Sequence, residues 1–165
     1  MRVPIRKPGK YTHDKPDLHL TRDKLNELQE ELDRLRTEIR PRAMKEVSRL
    51  AEMGDFSENA AYQIAKGRLR GMNERILDLE ERIGKVILIE PKNNTRVQIG
   101  HRVTVEANGK QHTYLILGST ESNPDESVIS HTSPLGAALI GRAVGDTVTV
   151  KLSNKEVKNR IVRIE

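Results

Sequence analysis

The chain has no cysteine and no tryptophan among its 165 residues, and only one phenylalanine and three tyrosines. Without thiols neither a disulfide framework nor a thiolate metal site is available, which points to a reducing compartment. So few aromatics suit a solvated rod better than a large compact core. No clean apolar run exceeds the four residues of Val86 to Ile89, whereas a membrane-spanning helix needs roughly 20. No apolar secretory segment opens the chain, so a cytoplasmic protein with no membrane partner is expected. A Gly-rich phosphate loop, a nucleophile elbow and a Ser/His/Asp pattern are all missing. His101, His112 and His131 show no metal-pair spacing and read as surface or strand histidines.

Charge is what the chain has in quantity: 29 Lys and Arg against 24 Asp and Glu, a net +5. Its distribution is uneven. Arg2, Arg6, Lys7, Lys10 and Lys15 against Asp14 place +4 of that total in the first 16 residues. Residues 1–17 therefore read as a basic, proline-containing leader, a flexible arm. It is either a solvated tail or a segment that touches nucleic acid or an acidic protein surface.

Beyond the leader the pattern is helical. Leu25, Leu28, Leu32, Leu35 and Ile39 recur at spacings of three and four, as do Leu69, Met72, Ile76, Leu79 and Ile83. Two such stripes joined by a short turn predict an antiparallel coiled-coil hairpin over residues 18–84, roughly 40–45 Å long at about 1.5 Å per residue. Thr21 is a good N-cap, with Leu20 and Leu25 placed as a hydrophobic staple. Pro41 should bend the first arm, but the seam resumes as Ala43, Val47 and Leu50, which predicts one kinked helix to about Met53. Gly54 suits the end of that arm and Gly84 the end of the second. Gly67 and Gly71 each cost about 1 kcal/mol relative to alanine in a helix. They read either as a close approach of the arms or as local flexibility.

The turn is Gly54-Asp55-Phe56-Ser57-Glu58-Asn59-Ala60-Ala61-Tyr62. Asp55 followed three residues later by Glu58 resembles a capping box, and acids at a helix start suit its dipole. Capping alone accounts for both carboxylates. The surroundings support a second reading. Glu52 to Tyr62 holds three acids and no base, while Arg40, Arg42, Lys45 and Arg49 precede it and Lys66, Arg68 and Arg70 follow. An acidic tip with a basic collar suits a prong that tracks phosphates and presents carboxylates to a cation.

From Lys85 the period changes. Short apolar stretches at Val86–Ile89, Val97–Glu106, Thr113–Leu117, Val128–Ser130 and Thr147–Leu152, then the region of Val157, Ile161 and Ile164, alternate with turn residues. Asn108-Gly109 is a strong hairpin signal, and Pro134 to Ile140 reads as one short helix. Residues 85–165 are thus expected to form a small antiparallel sheet domain with one helix, making the whole chain α+β.

The tip sequence, the hairpin around it, and Ser133-Pro134-Leu135-Gly136-Ala137-Ala138-Leu139-Ile140-Gly141 followed by Gly145-Asp146-Thr147-Val148 resemble the bacterial Gre transcript-cleavage factors of the GreA/GreB type. The resemblance covers roughly residues 18–165. It implies an FKBP-like C-terminal domain that docks on RNA polymerase; with Tyr114 as its only aromatic, docking rather than prolyl isomerisation is expected of it. It implies that the coiled coil enters the polymerase secondary channel and stimulates cleavage of backtracked RNA. Asp55 and Glu58 would then be the catalytic and metal-holding pair, positioning water and a Mg²⁺ shared with the polymerase active site. The protein would have no cofactor of its own and would be an accessory factor rather than an enzyme. Ser57 would stand near the reacting groups, with Phe56, Asn59 and Tyr62 supporting the tip. Lys66, Arg68 and Arg70 would contact the extruded RNA 3′ end, and the factor would act as a monomer. Some relatives carry a further acid where this chain has Ala61. Two other readings stand beside this one: a secondary-channel regulator without cleavage activity, and a generic coiled-coil adaptor.

Overall fold

Thr21 starts the first arm as its sequence predicts: its extended backbone and its hydroxyl, which accepts from Lys24 N at 3.2 Å, cap a helix. The computed structural model describes residues 17–53, 60–152 and 155–165. Residues 1–16 of the leader and the tip residues Gly54 to Asn59 lie outside the described residues.

A short strand, β1 (His19–Leu20), precedes α1 (Arg22–Arg34). The expected single kinked helix is resolved as α1, a π-helical turn over Leu35–Ile39, and α2 (Arg40–Ala51). Pro41 offers no N–H to the carbonyl four residues back, and its ring crowds that carbonyl. The turn ahead of it widens, with Arg40 N donating to Leu35 O, five residues back. The second arm is α3 (Ala60–Gly84). Leu20, Leu28, Leu32, Ile76 and Leu79 form the buried seam, flanked by Leu35, Met72, Ile83 and Val86. Gly67 and Gly71 are exposed on α3, and a Cβ at either would meet nothing within 4 Å. The close-approach reading of these glycines is therefore excluded.

Ion pairs flank the seam. Arg75 donates from Nε to Glu31 Oε1 at 2.9 Å and from Nη2 to Oε2 at 3.1 Å, and Arg36 pairs with Glu80. The hydrogen bonds from Arg75 hold the Glu31 carboxyl below its usual range. Both side chains remain about two-fifths exposed, so the pair is worth at most about 1 kcal/mol. A depressed carboxyl stabilises the fold above its unfolded pKa and loses that contribution as pH falls through its folded value. Glu31→Gln is accordingly expected to lower stability by less than about 1 kcal/mol at neutral pH. The gap from wild type should close in acid and shrink in high salt. Urea denaturation across pH and ionic strength checks it.

After α3, β2 (Ile87–Leu88) pairs parallel with β1, a strand absent from the sequence expectation. The C-terminal sheet follows: β3 (Arg102–Ala107), β4 (Lys110–Leu117), β5 (Val128–Ser130), the helix α4 (Pro134–Leu139), β6 (Thr147–Leu152) and β7 (Lys155–Ile164). Their order across the sheet is β5-β4-β3-β7-β6. Asn108 and Gly109, both at positive φ, form the two-residue turn that joins β3 to β4. One pairing departs from the expected antiparallel sheet. β5 lies parallel to β4 because residues 118–127 carry the chain back through two single-turn 3₁₀ segments. Ile161 and Ile164, three apart, both reach the core because the β3–β7 register shifts between Thr104 and Val105. Val97, Val103, Val105, Ile116, Leu139 and Val148 complete that core. Among the described residues no helix is long and apolar enough to cross a membrane.

Candidate functional site

The distal part of the hairpin is built from α2 and the first turns of α3. Asp55, Phe56, Ser57, Glu58 and Asn59 lie outside the described residues; what is described is the ground just behind them. Lys66 and Arg70, one helical turn apart, share a face of α3 with Gln63, Gly67 and Asn73, where they line a shallow groove. The missing side chain at Gly67 deepens it. The Lys66 ammonium stands 5.8 Å from the centre of the half-buried Tyr62 ring, a cation–π contact that ties the first cation of this face to the start of α3. Arg70 is 3.9 Å from Glu74, with both side chains largely exposed.

Arg68 does not join that face. It lines a separate groove on the hairpin with Ala43, Glu46, Leu50, Ile64 and Met72. On the first arm, Arg49 donates to both oxygens of Glu46, at 3.0 and 2.8 Å, and so holds the Glu46 carboxyl below its usual range. Four of the seven cations behind the tip are thus divided. Lys66 and Arg70 present charge along one groove, Arg49 is engaged by an acid on its own helix, and Arg68 borders an apolar hollow.

At the other end of the prong, the segment leading into α1 is clasped by the C-terminal domain. Glu121 accepts Thr21 N at 2.9 Å and the Thr21 hydroxyl at 2.5 Å. Asp17 accepts His19 N at 3.1 Å and Ser119 N at 2.6 Å. Burial pushes the Asp17 carboxyl up, but the backbone donors from Ser119 and His19 outweigh it and hold its pKa at about 2. A Cβ on Gly118 would fall 2.1 Å from His19 O, so the two segments pack backbone to backbone. Sequence reasoning missed this clasp entirely, because its halves lie about a hundred residues apart.

The histidines also need correction. His101 is not at the surface: it is buried, its Nδ1 accepts from Gln98 N at 3.0 Å, and burial lowers its pKa. His131 is half-buried beside Asp17, whereas His112 is exposed and stacks near Tyr114, ring centres 6.3 Å apart. Tyr114, Pro134 and Leu135 line an open cavity of about 510 Å³ over the sheet. His112 and Val150 also line it.

Comparison with known proteins covers almost the whole chain. Residues 18–87 match the family described as "Transcription elongation factor, N-terminal", and residues 91–165 match "Transcription elongation factor, GreA/GreB, C-term". Transcription elongation factor GreA of Roseiflexus castenholzii is 36% identical over 156 residues, 92% of this chain and 99% of that protein. GreA of Nautilia profundicola is 37% identical over 138 residues, 81% of this chain and 85% of that protein. Among solved structures, the GreA factor homolog 1 (Gfh1) protein of Thermus thermophilus is similar at 25% identity, with a TM-score of 0.41 over 90% of this chain and 99% of that one. With both halves matched and a GreA relative aligned over nearly its full length, this chain belongs to the GreA/GreB family of transcription elongation factors.

Proposed function

We propose that this protein is a cytoplasmic accessory factor of RNA polymerase that stimulates hydrolysis of backtracked RNA. The C-terminal domain docks on the polymerase, and the hairpin enters the secondary channel as a monomeric prong. Asp55 and Glu58 then stand beside the extruded RNA 3′ end. The observation that carries this reading is the pairing of an acidic tip with the Lys66–Arg70 groove, on the helix that leaves that tip. A backbone of phosphates following Lys66 and Arg70 would be led toward the carboxylates.

The donor set fits the metal that such chemistry uses. Two carboxylates supply hard oxygen ligands, the type Mg²⁺ takes, and they are too few to hold it tightly without further ligands from the polymerase and RNA. Bound there, the ion supplies an activated water for in-line attack on a phosphodiester. The chain's own part is to place Asp55 and Glu58, to orient water between them, and to steady the RNA through Lys66 and Arg70. Ser57 adds a hydroxyl beside the pair, and Phe56, Asn59 and Tyr62 brace it. Arg68, turned to the other groove, contributes to the hairpin rather than to RNA contact.

The test uses stalled, backtracked elongation complexes carrying 5′-labelled RNA and Mg²⁺. Added protein is expected to speed RNA shortening over the polymerase alone. Binding without acceleration would overturn the reading in favour of a channel regulator that does not stimulate cleavage.

A further inference from the structure

Two neighbouring side chains and a third more than a hundred residues away meet where the segment entering the hairpin crosses the C-terminal sheet. Asp17 and His19 come from β1 and its approach, and His131 from the residue after β5. Asp17 Oδ1 lies 2.9 Å from His19 Nδ1, and Asp17 Oδ2 lies 3.4 Å from His131 Nδ1. The two imidazole rings stand edge to face with centres 5.1 Å apart. One ligand atom from each residue falls within 4.8 Å of the other two, and no other such group of His, Asp or Glu occurs among the described residues.

A structural role explains part of this. Asp17 tethers the two segments through the Ser119 and His19 amides, and the His19 ring can donate to the same carboxylate. It does not explain the second imidazole. His131 Nδ1 sits 3.4 Å from both Asp17 Oδ2 and Leu117 O, too long to be a good hydrogen bond to either. A single cation between the three groups satisfies all of them. We propose that Asp17, His19 and His131 form a binding site for a divalent transition cation of the Zn²⁺ type, which staples the base of the hairpin to the C-terminal domain.

The donors select the ion. Two imidazole nitrogens and one carboxylate oxygen suit Zn²⁺ or Co²⁺, whereas Mg²⁺ and Ca²⁺ favour all-oxygen shells. Water completes a four-coordinate shell. The amide donors from Ser119 and His19 are the kind of outer support that orients a ligating carboxylate. Because the three ligands come from both sides of the junction, the ion binds the folded arrangement and not the unfolded chain.

The experiment uses the full-length, untagged protein stripped of metal by chelator. Zn²⁺ is titrated calorimetrically and Co²⁺ by visible absorption. We expect saturation at one equivalent, tetrahedral Co²⁺ bands without thiolate charge transfer, and a higher melting temperature with Zn²⁺. His19→Gln and His131→Gln should each weaken binding at least about tenfold, and His112→Gln should leave it unchanged. No saturable binding by wild type, or binding that survives both substitutions, overturns the proposal. If the variants fold poorly, histidine side-chain NMR of the wild type decides. Zn²⁺ should shift the His19 and His131 Nδ1 resonances, and shifts confined to other histidines overturn the site.

Discussion

Asp55→Asn/Glu58→Gln is expected to bind RNA polymerase as wild type does and to lose stimulated RNA cleavage, with the rate falling by on the order of 10²–10³-fold, the scale for removing preorganised charge from a reacting centre. These two substitutions separate the competing explanations of the tip. Asparagine caps a helix about as well as aspartate, and glutamine serves in a capping box as glutamate does. If the carboxylates exist to start α3, the double variant should be silent in both stability and cleavage. If they hold a metal and order water, the loss of two anionic oxygen donors removes the function while the helix start survives. Docking should be spared, because it is proposed for the C-terminal domain, to which neither residue belongs. The single variants should each cost nearly as much as the pair, since two ligands of one ion act as a unit. Cleavage assays on backtracked complexes, run beside a polymerase-binding measurement and a thermal melt, read all three quantities. A double variant that cleaves at the wild-type rate would return the tip to a capping role.

The hairpin was legible because helical periodicity repeats its information. Leu28, Leu32, Ile76 and Leu79, all in the expected stripes, are buried against one another. Thr21 and Asn108-Gly109 were legible for a different reason: a cap and a two-residue turn are each decided by chemistry within four residues. What escaped was non-local or too short to show a period. β2 lies inside the expected Val86–Ile89 stretch, but β1 is only two residues long, so nothing in the local pattern marks the two as paired. The parallel pairing of β5 with β4 depends on how residues 118–127 turn back, which alternation in the strands does not encode. The π-helical turn before Pro41 is a response to a lost donor, and the sequence announces the lost donor but not the form of the response. The collar was partly legible. Residues 66 and 70 fall on one helical face, while 68 lies roughly 200° round the axis from 66, given 3.6 residues per turn. Treating the three cations as one cluster overlooked that rotation. The Asp17–His19–His131 junction had no sequence signal, since 112 positions separate its two histidines.

Gly136→Ala is expected to be among the most disruptive single-atom changes in the chain, although it replaces a helical glycine by the best helix former. Gly136 is buried in α4, and a Cβ there would lie 2.1 Å from Ser130 O and 3.0 Å from His131 Cα. Neither is the movable end of a side chain. Ser130 O also accepts the Ser133 amide at 3.0 Å and the Ser133 hydroxyl at 2.7 Å, and the Ser133 hydroxyl in turn caps α4 by accepting from Gly136 N at 3.1 Å. The clash therefore cannot be relieved without lifting α4 from the end of β5, which breaks the cap and withdraws the fully buried Leu139 from the core. Overpacking of this kind costs about 1–3 kcal/mol and occasionally more, and the immovable backbone places this site at the upper end. For a domain of this size that corresponds to a fall in melting temperature of roughly 10 °C. The matched control is Gly67→Ala, at an exposed helical position where the added Cβ meets nothing. There helix propensity acts alone, and a gain of about 0.5–1 kcal/mol is expected. Calorimetric or circular-dichroism melts of the two variants should move in opposite directions. A Gly136→Ala protein as stable as wild type would mean that α4 and β5 separate freely, and would remove the close contact as the reason for glycine at that position.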